Sequence, residues 1–121
     1  MGLRCLIVDD NADFAAAARE LLEGQGVAVV AVASTSAEAV RRVREEQPDV
    51  ALIDIDLGQE SGLDVARRLA GTTGIGHVPL VLISTYAETD FADVIAASPA
   101  VGFLAKSTLS ASAIQEVLDR H

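Results

Sequence analysis

The sequence is poor in aromatic and in basic residues. Its 121 residues include no tryptophan, one tyrosine and three phenylalanines, too few to build the stacking surfaces that bind single-stranded nucleic acids. Nine lysines and arginines stand against 18 acidic residues, which gives a formal net charge of -9. Because affinity for a phosphate backbone requires clustered cations, we expect no direct binding of nucleic acid. Metal ions and basic partners suit this chain better.

Cysteine and long apolar runs are scarce as well. Cys5 is the single cysteine, so it cannot form an internal disulfide, and a lone thiol within an apolar run is typical of a reducing compartment. The run that contains it is followed at once by two aspartates, which excludes a signal peptide, and no stretch is long enough to span a membrane. We expect a cytoplasmic protein that does not bind membranes, with one domain over residues 1–121.

Short apolar runs alternate with segments of helical periodicity. The runs predict strands at residues 3–9, 27–33, 50–54, 80–84 and 101–105. They are apolar without alternation, which is expected of parallel strands that are covered by helices on both faces. We therefore predict an α/β fold with a doubly wound, five-stranded parallel sheet.

The helices are predicted from apolar stripes and from capping residues. The first stripe predicts a helix that buries Phe14, Ala17, Ala18 and Leu21. Thr35 lies three residues before Glu38, the spacing of a capping box, and predicts the start of the second helix. Further stripes predict helices at residues 63–70, 91–98 and 114–118.

Polar side chains stand where four of the predicted strands end. Asp9 and Asp10 follow the first strand, Asp54 ends the third, Ser84 ends the fourth, and Lys106 follows the fifth. The carboxyl ends of parallel strands lie at one edge of a sheet, where ligands bind. We therefore expect three carboxylates, one hydroxyl and one amine to converge there.

These groups suit phosphoryl transfer to a carboxylate. Clustered acidic oxygens are ligands that Mg²⁺ prefers, and Mn²⁺ is the alternative cation. Asp54 would be the nucleophile. Lys106 and Ser84 would hold the phosphoryl oxygens, since this reaction depends mainly on positioning and charge neutralisation.

The order of these residues resembles the response-regulator receiver domain, the phosphorylation switch of two-component signalling. The resemblance covers the whole chain and implies a flavodoxin-like (βα)5 fold with strand order 2-1-3-4-5. It also implies that a sensor histidine kinase donates a phosphoryl group from phosphohistidine to Asp54. Such a chain is not an enzyme with a separate substrate, because it catalyses only its own phosphorylation and dephosphorylation.

The resemblance also implies roles for individual residues. Asp10, Asp54 and the backbone carbonyl of Asp56 would bind the metal, and Asp9 would support it through water. Ser84 and Lys106 would bind the phosphoryl group. Phosphorylation would turn Ser84 toward the phosphate and move the aromatic ring of Phe103 inward, a switch that alters the surface of the fourth helix, fifth strand and fifth helix.

Further implications concern lifetime, assembly and output. Asp56 and Tyr86 match positions that tune how long the phosphoryl group survives in this family. The switching surface is also where a homodimer would form. The segment at residues 102–111 resembles receivers whose regulators carry a C-terminal helix-turn-helix domain, which implies control of transcription.

The sequence departs from the family pattern at two places. Ser107 stands where proline usually follows the lysine, and we expect a trans peptide bond there because a cis bond before a non-proline residue costs about 3 kcal/mol. The loop after Asp54 lacks the usual Leu-Pro pair, which leaves open how it is kept rigid. Neither departure removes a chemical group.

Two other functions remain open at this stage. A pseudo-receiver would keep the fold but act only through protein contacts, without phosphorylation. A haloacid-dehalogenase-type phosphatase is the enzyme alternative, because Asp54 and Asp56 form an Asp-x-Asp motif after an apolar strand. In that family, however, the nucleophile ends the opening strand, whereas here Asp9 and Asp10 precede Asp54.

Overall fold

The computed structural model describes residues 2–72, 78–85 and 92–120, apart from the side chain of Val94. Within these ranges one sheet contains five strands: β1 (Arg4–Val8), β2 (Ala28–Ala33), β3 (Val50–Asp54), β4 (Leu80–Ser84) and β5 (Gly102–Ala105). All pairings in this sheet are parallel, and the order is β2-β1-β3-β4-β5. The predicted fold class and strand order are confirmed.

Helices cover both faces of this sheet. They are α1 (Ala12–Gly24), α2 (Ser36–Glu46), α3 (Gly62–Gly71), α4 (Ala92–Ala96) and α5 (Ala111–Arg120). Alternate residues of each strand point to opposite faces, so β1 sends Leu6 and Val8 into a core with α2 and α3. Cys5 and Ile7 enter a second core with α1 and α5. The sheet is therefore doubly wound, with one apolar core on each of its two faces.

Side-chain caps begin α1, α2 and α3, and also α5, where Ser110 accepts the amide of Ala113. The side chain of Asn11 accepts the amide of Phe14 in α1, and Thr35 accepts the amide of Glu38 in α2. Ser61 accepts the amide of Leu63 in α3. Each cap satisfies a backbone donor that the first helical turn leaves unpaired. The predicted cap at Thr35 is confirmed.

The predicted apolar face of α1 is right at Phe14 and Ala18 and wrong at Ala17 and Leu21. The buried residues are Ala15, Ala18 and Leu22, whereas Ala17 is exposed and Leu21 is 45% exposed. The alanines at 15–18 and the paired leucines at 21 and 22 fit two helical registers equally well. The register observed is the one that packs the Leu22 side chain into the core formed with α1 and α5.

A short antiparallel hairpin connects β3 to α3. Asp56–Leu57 pairs with Glu60–Ser61, and Gly58 in the turn has a φ of 72°, a value that favours glycine. A Cβ atom at Gly62 would overlap the carbonyl oxygen of Asp54, so only glycine lets α3 start this close to the end of β3. The loop without Leu-Pro is thus an ordered hairpin.

The far strand of this hairpin is attached to α2 and α3. Glu60 accepts the backbone amide of Ser36 at 2.8 Å, and Arg68 donates to the hydroxyl of Ser36 at 2.8 Å. These contacts lower the pKa of Glu60, chiefly through its hydrogen bonds with Ser36. The hairpin is therefore held in place by Ser36 at the start of α2 as well as by its connection to β3.

No helix of the described ranges is both long and apolar enough to cross a bilayer.

Candidate functional site

The predicted site residues gather at the carboxyl edge of the sheet. Asp9 follows β1, Asp54 and Ser84 end β3 and β4, and Lys106 follows β5 in a short 3-10 helix (Lys106–Thr108). One carboxylate oxygen from each of Asp9, Asp10 and Asp54 lies within 4.8 Å of the other two. The predicted convergence of three acids is therefore present.

Lys106 bridges two of these acids. Its Nζ lies 2.9 Å from Oδ2 of Asp9 and 3.0 Å from Oδ2 of Asp54, and the lysine side chain is only 11% exposed. Burial alone would lower the pKa of Lys106, but the carboxylates of Asp9 and Asp54 outweigh it, so the pKa is raised. Lys106 is thus a partly buried ammonium that contacts Asp54.

The Asp54 carboxylate is held at both oxygens. Oδ1 accepts the backbone amide of Asp56 at 3.1 Å, and Oδ2 receives the Lys106 ammonium. Burial raises the pKa of Asp54, against the lowering effects of Lys106 and of the Asp56 amide. A carboxylate that is costly to bury and held in one orientation is suited to forming a new bond to phosphorus.

Asp9 lies deepest in the acid cluster. Its side chain is 0% exposed, and Oδ1 accepts the backbone amide of Asn11 at 2.8 Å. Oδ2 has the Lys106 ammonium beside it but accepts no hydrogen bond of good geometry from the described residues. A buried carboxylate oxygen without such a partner is expensive, so this atom favours a further cation at the site.

The charge balance of the site also favours a divalent cation. When ionised, Asp9, Asp10 and Asp54 carry three negative charges against the single positive charge of Lys106. Asp10 is exposed and open to solvent. Two uncompensated charges on clustered oxygens suit Mg²⁺, which takes carboxylate ligands and retains several waters.

Ser84 and Phe103 lie on adjacent strands near the acids. Ser84 is 4% exposed, and with Asp56 and Gly58 it lines a cavity of about 420 Å³ beside the hairpin. Phe103 is 9% exposed and packs in the core that β1 forms with α2 and α3. The ring is therefore largely buried, and its switching role stays a prediction.

The remaining predictions concern Asp56, Tyr86 and the peptide bond after Lys106. Asp56 lies in the hairpin, where its side chain accepts the Gly58 amide at 3.0 Å, and its roles in metal binding and tuning stay predictions. Tyr86 lies outside the described residues. The peptide bond between Lys106 and Ser107 is trans, as expected.

Two residues near the site were not recognised from the sequence. Phe14, taken for a core residue, places its ring 4.1 Å from the Lys106 ammonium. Gly58 approaches Asp10 so closely that a Cβ atom would lie 2.8 Å from its Oδ2. For Phe14 the available signal was its position four residues after Asp10, in the first turn of a helix that leaves this edge.

Known proteins share this sequence pattern and fold. The family described as the response regulator receiver domain matches residues 5–119. The DNA-binding response regulator MtrA of Mycobacterium tuberculosis is 38% identical over 95 residues, which cover 78% of this chain and 39% of MtrA. This chain therefore matches well under half of the length of that relative.

Solved structures agree. The signal receiver domain of a modulated diguanylate cyclase from Desulfovibrio desulfuricans is 30% identical, with a TM-score of 0.78 and coverage of 99% of this chain and 93% of that one. A response regulator from Burkholderia pseudomallei, solved with a phosphorylated aspartic acid and a calcium ion, is 25% identical. Its TM-score is 0.74, with coverage of 96% of this chain and 66% of that one. Together with the acid cluster at the sheet edge, these matches show that the chain belongs to the response regulator receiver domain family of two-component systems.

Proposed function

We propose that this chain is a phosphorylation switch whose acceptor is the carboxylate of Asp54. The observation that carries the proposal is the Lys106 ammonium, which lies between Asp9 and Asp54 at 2.9 and 3.0 Å. This arrangement supplies a nucleophile and a cation for the incoming phosphoryl oxygens in one place. The phosphorylated aspartic acid in the Burkholderia pseudomallei regulator supports the same chemistry here.

The geometry suggests how the transfer proceeds. An oxygen of Asp54 forms a bond to phosphorus while the bond between phosphorus and the donor breaks, and the leaving group departs with the bonding electrons. Lys106 exchanges its contact with Asp54 Oδ2 for a phosphoryl oxygen and keeps its contact with Asp9. The Asp56 amide holds the other Asp54 oxygen in place. Most of the catalysis is thus positioning and charge neutralisation.

The proposed cofactor is Mg²⁺ or Mn²⁺. Asp10, Asp54 and the backbone carbonyl of Asp56 would hold it, with Asp9 supporting it through water. The cation would neutralise the charge of the acids and of the transferred phosphoryl group. The buried Oδ2 of Asp9 and the net negative charge of the cluster support this assignment.

Phosphorylation in vitro tests the proposal. The chain is incubated with Mg²⁺ and acetyl phosphate, and its intact mass is measured. We expect one phosphoryl adduct, no adduct in Asp54→Asn, and an unchanged adduct in the control Asp64→Asn, which replaces an exposed aspartate of α3. An adduct that persists in Asp54→Asn would place the acceptor elsewhere.

The same reaction separates the two alternative functions. Absence of any adduct in the correctly folded wild type would favour the pseudo-receiver. Many turnovers of a phosphate monoester per protein chain would favour the phosphatase. The proposal requires one phosphoryl group per chain and no such turnover.

The switch would operate through Ser84 and Phe103. A phosphoryl group shifts a conformational equilibrium only by its different affinity for the two states. Because Ser84 would contact the phosphate only after transfer, Ser84→Ala should weaken the spectral response of Phe103 to phosphorylation more than it slows phosphorylation. Equal losses in both measurements would contradict this role.

The proposed partners follow from the family. The physiological donor is a sensor histidine kinase, and α4, β5 and α5 form the surface that changes and that pairs in a homodimer. Size-exclusion chromatography with light scattering, with and without beryllofluoride, tests the dimer. Control of transcription, through a part of a longer regulator such as the DNA-binding relative MtrA, is the proposed output.

A further inference from the structure

The aromatic ring of Phe14 faces the Lys106 ammonium. Nζ lies 4.1 Å from the ring centroid, well inside the distance of about 6 Å at which a cation is attracted to the face of an aromatic ring. The lysine side chain is 11% exposed, so water competes weakly for the ammonium. This contact joins the first turn of α1 to the residue that follows β5.

Phe14 joins Asp9 and Asp54 around the ammonium. A lysine ammonium has three N–H donors, and two carboxylate oxygens, from Asp9 and Asp54, lie at 2.9 and 3.0 Å. The ring adds a neutral partner on a third side. Unlike the two acids, it attracts the cation without adding negative charge to a site that must accept a phosphoryl group.

The start of α1 holds the ring in this place. Asn11 caps the helix by accepting the amide of Phe14 at 3.1 Å, and the amide of Asn11 is in turn bound by Asp9 Oδ1 at 2.8 Å. The backbone of Phe14 is therefore tied through two hydrogen bonds to the acid that also binds Lys106. The ring and the carboxylate that contact the ammonium therefore come from one hydrogen-bonded turn.

We propose that Phe14 is a positioning residue for Lys106, and this inference rests on the proposed phosphorylation of Asp54. Transfer requires the ammonium to leave Asp54 Oδ2 and meet a phosphoryl oxygen. With Asp9 and the Phe14 ring still in contact, the ammonium pivots within the site instead of turning out to solvent. The role of the ring is electrostatic, beyond its apolar packing.

Fluorinated phenylalanines at position 14 separate these two roles. Mono-, di- and trifluorinated rings keep nearly the same size while their attraction for a cation weakens step by step. The rate of phosphorylation by acetyl phosphate with saturating Mg²⁺ is measured by intact mass for each. We expect the logarithm of the rate to fall steadily with fluorination, and Phe14→Leu to be slower by about fivefold, as the typical strength of such contacts implies. Phe14→Tyr should keep nearly the full rate of phosphorylation.

A second series shows whether Phe14 acts through Lys106. In the Lys106→Met background the ammonium is absent, so the same fluorinations should leave the remaining rate unchanged. Urea unfolding of every variant reports whether it is folded, and the nearly isosteric fluorinated series decides the result if Phe14→Leu does not fold.

The outcomes are distinct. A wild type that takes up no phosphoryl group contradicts the proposed function itself. A wild type that is phosphorylated at a rate insensitive to fluorination contradicts the role of Phe14 alone. An equal decline with fluorination in the Lys106→Met background also contradicts it, because the ring would then act on something other than Lys106.

Discussion

Replacing Asp10 with asparagine should stabilise the metal-free protein and abolish most of its stabilisation by Mg²⁺. Asp10 is the exposed member of a group of three acids whose oxygens lie within 4.8 Å of one another. The substitution removes one negative charge and keeps the size of the side chain. Folding of the metal-free chain no longer has to bring that charge next to the other two.

The magnitude follows from Coulomb's law. The carboxylate oxygens lie no more than 4.8 Å apart, and two unit charges at that limit repel by about 0.9 kcal/mol in water and by about 3.5 kcal/mol at an effective dielectric constant of 20. The lower value applies, since Asp10 is exposed. Asp10 has two carboxylates within this distance, and we take the ammonium of Lys106, which contacts both of those carboxylates, to offset about one of the two repulsions. We expect the free energy of unfolding to rise by about 1 kcal/mol, or the melting temperature by about 4 °C.

Urea denaturation with and without Mg²⁺ measures both effects. For the wild type, Mg²⁺ at one hundred times its dissociation constant should add about 2.7 kcal/mol. For Asp10→Asn we expect little change at the same concentration, because a carboxylate ligand has been lost. The increase in the free energy of unfolding caused by Asp10→Asn should also become smaller in high salt, which screens an exposed charge.

Asp13→Asn is the matched control. Asp13 lies in the first turn of α1, where its charge interacts favourably with the helix dipole. Its replacement should lower stability by about 0.5 kcal/mol and leave the response to Mg²⁺ intact. The reasoning would be refuted if Asp10→Asn lowered the stability of the metal-free protein or responded to Mg²⁺ like the wild type.

Three further predictions concern the frame around the site. Gly62→Ala should lower the free energy of unfolding by about 3 kcal/mol or more in urea titrations, because its methyl group would overlap the Asp54 carbonyl oxygen. Gly71→Ala, with no atom within 4 Å of its Cβ at the end of the same helix, should be neutral or slightly stabilising; equal losses would contradict the steric argument. Glu60 has a lowered pKa because it accepts hydrogen bonds from Ser36. Its ionised carboxylate therefore contributes fully to the free energy of unfolding above its ordinary pKa of 4.5, and this contribution disappears as the pH falls through the lower pKa of the folded state. Glu60→Gln should accordingly be less stable than the wild type at neutral pH, and the difference should narrow in acid; a gap that is constant with pH would mean that charge plays no part. Burial raises the pKa of Cys5 to about 12, so a thiol reagent should label the native protein only as fast as it unfolds, and rapid labelling at neutral pH would contradict this.

Much of the site could be predicted because it depends on strand ends. In a parallel sheet every strand has its carboxyl end at the same edge, so Asp9, Asp54 and Lys106 had to lie at that edge once their strands were identified. The cap at Thr35 could be read for a similar reason, since it depends on residues three positions apart.

The tertiary structure decided what depends on how helices rotate and pack. The alanine-rich start of α1 fits two registers, and only the fit of Leu22 into the core shows that Leu21 faces solvent. The same rotation brings the Phe14 ring to the Lys106 ammonium. Likewise, no local pattern shows that Glu60 accepts the amide of Ser36.

The sequence by itself determined the parallel sheet and the set of chemical groups at its edge, because strand direction alone places them there, whereas the order of the strands came from the resemblance to the receiver family. Only the tertiary structure decided which of these groups touch, and what surrounds the Lys106 ammonium. Such contacts join segments that are distant in the chain, and their geometry depends on side-chain packing across the whole core.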